Sequence, residues 1–286
     1  MPTATVDLAA PSGTCKTQIF TPAGPGPWPA VILCFDAGGQ RPSMSLIAER
    51  ITKSGYMVAI PDLFYRAGSP FDLLPPGSPH DFNAFVAIFS DDALRAKFFT
   101  TYYAPAIDYD NLRGDIGTLL DHLKARPDVR GGIGTTGYCM GGNVSLRIAT
   151  LFGDRIAATA VFHGGGLATP TPDSPHLRAG GIKSRVYVAG AIEDQSFTDE
   201  AKQLLETALI EAHVVHTIET YPAKHGFAVT DHSVYDAACA ERHFVAMDTL
   251  FAATLRWTAQ TDSPHRARAL AVASHRTPRR GTPTAA

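Results

Sequence analysis

The hexapeptide Gly137-Tyr138-Cys139-Met140-Gly141-Gly142 decides the fold of this chain, because it has the form of a nucleophile elbow. In an elbow, a sharp strand-to-helix turn exposes one side chain above the edge of a sheet. Glycines flank that residue because its backbone is strained and a neighbouring Cβ atom would clash. The reacting position is Cys139, so the attacking species is a thiolate whose population depends on local charge. The motif therefore predicts a fold, a reaction class and one catalytic residue.

Strand and helix patterns alternate along the chain on either side of this motif. The continuous apolar run at 30–35 is typical of a buried strand. The segment at 111–126 predicts an amphipathic helix, whose apolar face consists of Ile116, Leu119, Leu120 and Leu123. The alternation predicts an α/β fold of the α/β-hydrolase type, with a mostly parallel central sheet and helices on both faces. The aromatic-rich stretch at 64–104 interrupts the pattern, and we expect it to form an insertion or cap over the carboxyl ends of the strands.

The composition favours one globular domain with an ordinary core. The chain has 286 residues, of which 45% are apolar and 18% charged, and its net charge is -2. Nothing in this balance indicates binding to nucleic acid or to an anionic membrane. We therefore predict a single domain over residues 1–259. Residues 260–286 contain several arginines and prolines and, from Pro264 onward, no acidic residue, so we predict a disordered basic C-terminal tail.

The cysteines and the N-terminus indicate the compartment. Four cysteines are scattered without a C-x-x-C pair, namely Cys15, Cys34, Cys139 and Cys239. This pattern favours a reduced protein over a disulfide scaffold or a zinc site. The stretch Met1 to Thr14 lacks the basic-then-apolar layout of a signal peptide, and no apolar run approaches membrane-spanning length. We therefore expect a cytoplasmic protein that uses no metal and no cofactor.

A second motif overlaps the elbow, since Gly132-Ile133-Gly134-Thr135-Thr136-Gly137 matches the G-x-G-x-x-G dinucleotide fingerprint. That fingerprint requires a buried strand immediately before its first glycine, whereas a polar loop containing Pro127 precedes it here. We expect the strand to run within the motif instead, from Ile133 to Tyr138, and to deliver Cys139 to the turn. An NAD-linked enzyme is therefore disfavoured.

A cysteine nucleophile needs a base and an acid that orients the base. In this fold they follow the nucleophile in the order acid, then histidine. Asp194 comes just after the predicted strand at 185–190, and His225 comes just after the predicted strand at 214–221. Order and strand position agree, so we predict that Asp194 orients His225.

Alternatives to this pair remain open. Glu193 is a rival for the acid, while His163 and His232 are poorer candidates for the base. We expect His163-Gly164-Gly165-Gly166 to be a glycine-rich turn near the site, because an oxyanion motif of that form precedes the nucleophile. No H-E-x-x-H or similar metal-binding pattern occurs.

The elbow, Asp194 and the stretch His225-Gly226-Phe227-Ala228 together resemble the dienelactone hydrolase family of α/β-hydrolases, over about residues 15–258. The resemblance implies a set of site residues: the triad Cys139, His225 and Asp194, and an oxyanion hole from the backbone N–H groups of Ala37 and Met140. It further implies a carboxylate, here Asp36, that associates with the thiol in the resting enzyme. The family residue at that position is glutamate.

One position departs from the family pattern. The dienelactone-cleaving members carry an arginine shortly after the catalytic histidine, and the matching residue here is Val229, which cannot form a bidentate carboxylate clamp. We predict a hydrolase that cleaves an ester or lactone bond of a small molecule through a thioester acyl-enzyme, without assigning dienelactone as its substrate. The alternatives are a general carboxylesterase or thioesterase, and a non-catalytic binding protein on the same fold. The sequence is compatible with a monomer or a homodimer.

Overall fold

An eight-stranded sheet forms the centre of the protein, which a computed structural model describes over residues 3–256. Its strands are β1 (Ala4–Ala10), β2 (Gly13–Phe20), β3 (Trp28–Cys34), β4 (Met57–Pro61), β5 (Val129–Tyr138), β6 (Ala158–Phe162), β7 (Arg185–Ala191) and β8 (His216–Tyr221). They lie in the order β1-β2-β4-β3-β5-β6-β7-β8. Strand β2 is antiparallel to β1 and β4, and the other neighbouring pairs are parallel. The predicted α/β-hydrolase fold is thereby confirmed.

Eight α-helices pack around the sheet in the described part of the chain. They are α1 (Pro42–Lys53), α2 (Phe82–Ala87), α3 (Asp92–Phe98), α4 (Ala104–Ile107), α5 (Tyr109–Ala125), α6 (Met140–Leu151), α7 (Asp199–Glu211) and α8 (Ala237–Thr254). Short 3₁₀ segments lie at Pro70–Leu73, Ile88–Ser90, Gly153–Arg155 and Pro175–Gly181, and one π-helical turn lies at Phe99–Tyr103. Helix α6, which begins at the elbow, packs on β3, β5 and β6.

The core lies where the apolar patterns place it. All five residues of β4 are buried, and the apolar run in β3 is buried from Ala30 onward, because both strands lie inside the sheet with cover on each face. Helix α5 buries the apolar face predicted for it, and its residues Ile116, Leu119, Leu120 and Leu123 are all fully inaccessible to solvent.

The glycines of the dinucleotide-like motif lie inside strand β5. The strand begins at Val129, so it starts earlier than the predicted Ile133 and includes part of the segment expected to be a loop. A Cβ atom on Gly134 would lie 2.9 Å from Leu255, which follows α8. These glycines therefore let the end of α8 approach the strand closely, which is a packing role that needs no nucleotide.

The aromatic-rich stretch at 64–104 packs against the carboxyl edge of the sheet. The ring of Phe64 lies 4.9 Å from that of Phe35, the residue that follows β3. Phe64 also contacts Phe98 and Tyr102 edge-on, and all three are buried. Most of these aromatic side chains therefore extend the main hydrophobic core beyond the edge of the sheet.

The N-terminal strand and the C-terminal segment lie at the two ends of the predicted domain. Strand β1 was not predicted; it pairs along its whole length with β2 and is half-exposed at the sheet edge. The described residues all belong to one compact unit that ends at Arg256. The predicted tail at 260–286 lies outside the described residues. Within 3–256, no helix is both long and apolar enough to cross a membrane.

Candidate active site

Cys139 occupies the sharp turn between β5 and α6, with φ 54° and ψ -118°. This left-handed backbone is rare for a residue with a side chain and is held here by tight packing on both sides. A Cβ atom at Gly137 would lie 1.9 Å from the carbonyl oxygen of Gly141, and one at Gly141 would lie 2.1 Å from that of Cys34. The two glycines are thus required for the strand, the helix and the end of β3 to approach one another.

Cys139 differs from the other three cysteines in exposure. All four thiols are free, and Cys139 is the one that is partly exposed. Burial raises the pKa of Cys15 and of Cys34 to about 11 and also raises the pKa of Cys239. Only at Cys139 is the sulfur therefore open to a reactant.

Asp194 and His225 meet at the same edge of the sheet, because each follows the carboxyl end of a parallel strand. The Nδ1 atom of His225 lies 2.8 Å from Oδ2 of Asp194. The Asp194 side chain is 3% exposed and that of His225 is 28% exposed, so the carboxylate is enclosed while the imidazole faces the site. Glu193 is exposed and its backbone is left-handed, and the hydrogen bond to the imidazole comes from the Asp194 carboxylate.

The pKa values of this pair reflect their mutual contact. Burial alone would lower the pKa of His225, but the Cys139 charge and the hydrogen bonds to Asp194 and Cys139 raise that pKa to about 10. Burial alone would raise the pKa of Asp194, yet the hydrogen bond and charge of His225 bring that pKa below its usual range. The imidazolium form of His225 is therefore favoured beside the Asp194 carboxylate.

The imidazole is oriented by its bond to Asp194. Because Nδ1 is taken by the carboxylate, Nε2 is the ring nitrogen left to face the thiol. Tyr103 lies close enough to Cys139 to sense its charge: burial first, and then that charge, raise the pKa of the phenol to about 12. Tyr103 therefore remains a neutral hydroxyl at neutral pH.

The two amides predicted for the oxyanion hole belong to the first residue of α6 and to the loop after β3. Met140 is the first residue of α6, so its N–H has no acceptor within the helix. Ala37 lies in the loop after β3, where the neighbouring amides of Gly38 and Gly39 both donate to Asp36. In the described chain, neither the Met140 nor the Ala37 N–H has a backbone acceptor.

Asp36 is held by an arginine that the sequence reasoning missed. Its carboxylate oxygens accept from Nη1 and Nη2 of Arg41, the second at 2.8 Å, and one of them also accepts from the Gly38 N–H. The Arg41 Nε atom lies 2.8 Å from Asp231, whose side chain is 34% exposed. These contacts place Asp36 in an ion-pair cluster with Arg41 and Asp231, and none of them involves the thiol.

Two further residues complete the surroundings of the imidazole. The hydroxyl of Ser196 donates to Asp194 over 2.6 Å and lies 3.2 Å from Nδ1 of His225. An Asp followed two residues later by Ser is a turn pattern that could have indicated this bond. The ring of His163 lies 5.1 Å from that of His225, edge to face. His163 is fully buried and burial drives its pKa well below normal, so it is a neutral ring rather than a second base.

The glycine-rich turn after His163 lies beside the nucleophile, as predicted. The N–H of Gly165 donates to the carbonyl of Cys139 over 3.2 Å, and the carbonyl of Gly166 accepts from Asn143 in α6. The turn therefore holds the backbone of Cys139 and the first turn of α6 in place. Within residues 3–256, no group of three or more His, Cys, Asp or Glu side chains is placed to hold a metal ion.

Comparison with known proteins gives a consistent result over nearly the whole domain. The sequence model of the dienelactone hydrolase family matches residues 15–255. A relative from Synechocystis, provisionally named carboxymethylenebutenolidase, is 25% identical over 88% of this chain and 100% of its own. A carboxymethylenebutenolidase from a Pseudomonas species is 26% identical over 71% of this chain and 75% of its own.

Solved structures agree at the level of the fold. A crystal structure from Klebsiella pneumoniae, provisionally named dienelactone hydrolase, superposes with a TM-score of 0.73 at 19% identity. The match covers 87% of this chain and 97% of that one. At this identity the likeness is one of architecture.

Proposed function

Because this chain belongs to the dienelactone hydrolase family and is a carboxylic ester hydrolase, we propose that it cleaves a small-molecule ester or lactone through Cys139, His225 and Asp194. The observation that best supports this triad is the 2.8 Å contact between His225 Nδ1 and Asp194, next to a cysteine held in a left-handed elbow. Membership of a hydrolase family argues against the alternative of a non-catalytic binding protein. A carboxylesterase or thioesterase with another substrate uses the same steps.

In the first half-reaction, His225 Nε2 accepts the Cys139 proton and the sulfur attacks the carbonyl carbon. The carbonyl π electrons move to oxygen, and the N–H groups of Ala37 and Met140 stabilise the resulting oxyanion. The N-terminus of α6 adds the positive end of its dipole near the sulfur. When the intermediate collapses, the C–O bond of the ester breaks and the leaving alkoxide takes the proton from His225. The product is an alcohol and a thioester on Cys139.

In the second half-reaction, water replaces the alcohol. His225 accepts a proton from water as the oxygen attacks the thioester carbonyl, and the same two amides receive the negative charge. Collapse then breaks the C–S bond and releases the carboxylic acid and the cysteine thiolate. Asp194 maintains the imidazole tautomer throughout, since its carboxylate accepts from Nδ1.

The proposed triad is tested by turnover of small aryl esters and lactones. We expect Cys139→Ala and His225→Ala each to lower kcat/KM by about 10³–10⁶ relative to wild type. Cys239→Ala is the matched control, because Cys239 is a buried cysteine of α8, and it should retain the wild-type rate. If all four proteins hydrolyse the substrates equally, the proposed mechanism is wrong.

The acyl-enzyme is tested by intact-protein mass spectrometry after brief mixing with an activated ester. Wild type and Cys239→Ala should gain one acyl group, and Cys139→Ala should gain none. An adduct of equal yield on Cys139→Ala would place acylation at another nucleophile.

A further inference from the structure

Every N–H donor of Arg41 is already engaged. A guanidinium carries five N–H groups. Three nitrogen–oxygen contacts reach the carboxylate of Asp36 or the carbonyl of Gly39, and two reach the carboxylate of Asp231. The ring of Phe82 covers the guanidinium at 3.8 Å, and the Arg41 side chain is 7% exposed. This arginine lies beside the oxyanion loop, yet it has no donor left for a substrate carboxylate.

The cluster of Asp36, Arg41 and Asp231 also bears net negative charge. Two carboxylates face one guanidinium. Burial alone would raise the pKa of Asp231, but the hydrogen bond and the charge of Arg41 keep that pKa below its usual range. The cluster lies near the proposed base through His232. The ring of His232 meets that of Phe82, which covers Arg41, at 5.5 Å, and a Cβ atom on Gly226, the residue after His225, would lie 2.6 Å from the His232 ring. An approaching anion therefore meets repulsion without a compensating partner.

Two other cations near the site do not replace a clamp. Arg147 bonds to Asn143 and Asp173 through Nε and Nη2, stacks on Tyr109, and has a side chain only 3% exposed. Its Nη1 atom has no hydrogen-bond partner among the described residues, but that atom is itself inaccessible to solvent. Lys224 precedes His225 and is exposed, and a single ammonium on a flexible stem cannot hold a carboxylate in a fixed bidentate geometry.

We propose that this site accepts neutral esters and lactones and rejects those that carry a carboxylate. The inference rests on the proposed function and names its substrate class. Val229 is fully buried where the carboxylate-binding members of the family have an arginine, and Arg41, which lies beside the loop after β3, is consumed by Asp36 and Asp231. A substrate carboxylate would lose its water and gain no ion pair, which is a heavy cost in a partly buried site.

The test compares substrates that differ only in that charge. One pair is mono-4-nitrophenyl adipate and its neutral methyl ester, which place the charge in the acyl part. The other pair is 4-acetoxybenzoate and its methyl ester, which place it in the alcohol part. After subtraction of buffer hydrolysis, we expect kcat/KM for the neutral member to exceed that for the anion by about 100-fold or more in both pairs. Equal rates in either pair, or a faster anion, overturn the proposal.

Variants locate the origin of the preference. Asp231→Asn removes one charge from the cluster and should raise the anion-to-neutral ratio of kcat/KM about tenfold. The matched control is Asp128→Asn, since Asp128 has a similar exposure of 33% and pairs with Arg126. The control and Lys224→Met should leave the ratio at the wild-type value. If Lys224→Met alone changes the ratio, or Asp231→Asn does not, the assignment to this cluster is wrong.

The two proposals fail separately. Loss of the Cys139 dependence of neutral-ester turnover contradicts the triad, whatever the charge preference. If neutral-ester turnover still depends on Cys139 but the anionic esters are also cleaved efficiently, only the proposed substrate class is wrong.

Discussion

Two carboxylate systems lie at the carboxyl edge of the same sheet, and they differ in the partner that each carboxylate has. Asp194 is bonded to His225, a base whose proton can move, and to the hydroxyl of Ser196. Asp36 and Asp231 are bonded to Arg41, a cation that does not release its proton in proteins. Each system contains one almost completely buried carboxylate, Asp194 in the first and Asp36 in the second.

The difference teaches that burial of a carboxylate does not by itself indicate catalysis. Paired with imidazole, a buried carboxylate shifts a proton equilibrium that a reaction can use. Paired with guanidinium, it forms a static ion pair that shapes the charge of the site and holds the loop after β3. Substitutions in one system should therefore leave the function of the other largely unchanged.

The largest effect is expected at the reactive pair. Asp194→Asn should lower kcat/KM for a neutral ester by about 10³–10⁴, because an amide no longer enforces the productive imidazole tautomer. Asp231→Asn removes a negative charge from the ion-pair system of Asp36, Arg41 and Asp231, and it should lower kcat/KM for the same ester less than about tenfold. Steady-state kinetics on both variants measures this contrast, and losses of similar size would show that the two systems act as one.

The second-largest effect is expected on the free energy of unfolding, when the ion pair between Arg41 and Asp36 is broken. Arg41→Met should lower the free energy of unfolding by about 3–5 kcal/mol, because the carboxylate of Asp36 would stay buried without its cation. Urea denaturation at neutral pH measures it.

The control for that variant is Arg126→Met, which breaks a more exposed pair with Asp128 and should cost about 1 kcal/mol or less. Adding Asp36→Asn to Arg41→Met should recover part of the lost stability, since it removes the uncompensated charge. No recovery would mean that the guanidinium stabilises the fold through its packing on Phe82.

The smallest effect is a shift along the pH axis. The pKa of His225 is raised to about 10, so the imidazolium persists below that pH and is lost as the pH rises through it. Donation of a proton to the leaving alkoxide should therefore fail near pH 10, so kcat/KM should fall there, at a higher pH than an ordinary histidine would give.

Asp194→Asn removes a bond and a charge that raise this pKa, so the fall of kcat/KM at alkaline pH (the alkaline limb) should move to lower pH. Asp231→Asn should leave the alkaline limb in place. An unmoved limb in Asp194→Asn would assign it to another group.

Much of the framework and the chain order of the site were predictable from sequence, for local reasons. Apolar runs and amphipathic faces located most of the strands and helices, since burial of one face leaves a periodic pattern. Cys139, His225 and Asp194 could be selected because each follows a predicted strand. Strand β1 was missed because an edge strand is half-exposed and leaves little such pattern.

The Asp36 hypothesis shows where local reasoning stops. The resemblance to the family implied a carboxylate that associates with the thiol, and this role stays a prediction. In the structure Asp36 is bonded to Arg41, which in turn reaches Asp231, 190 residues further along the chain. No pattern in the sequence around either residue indicates that partner.

The sequence by itself determined the sharp turn at Cys139 and the architecture that presents it, because glycine spacing and hydrophobic periodicity are properties of short segments. Only the tertiary structure decided which charged side chains surround the nucleophile and which of them are already neutralised. Ion pairs form between groups brought together by the whole fold, so their strength depends on burial and partners that no short segment records. For this protein, the proposed triad can be recognised from short segments, whereas the charge preference that we propose for its substrate depends on contacts between distant segments.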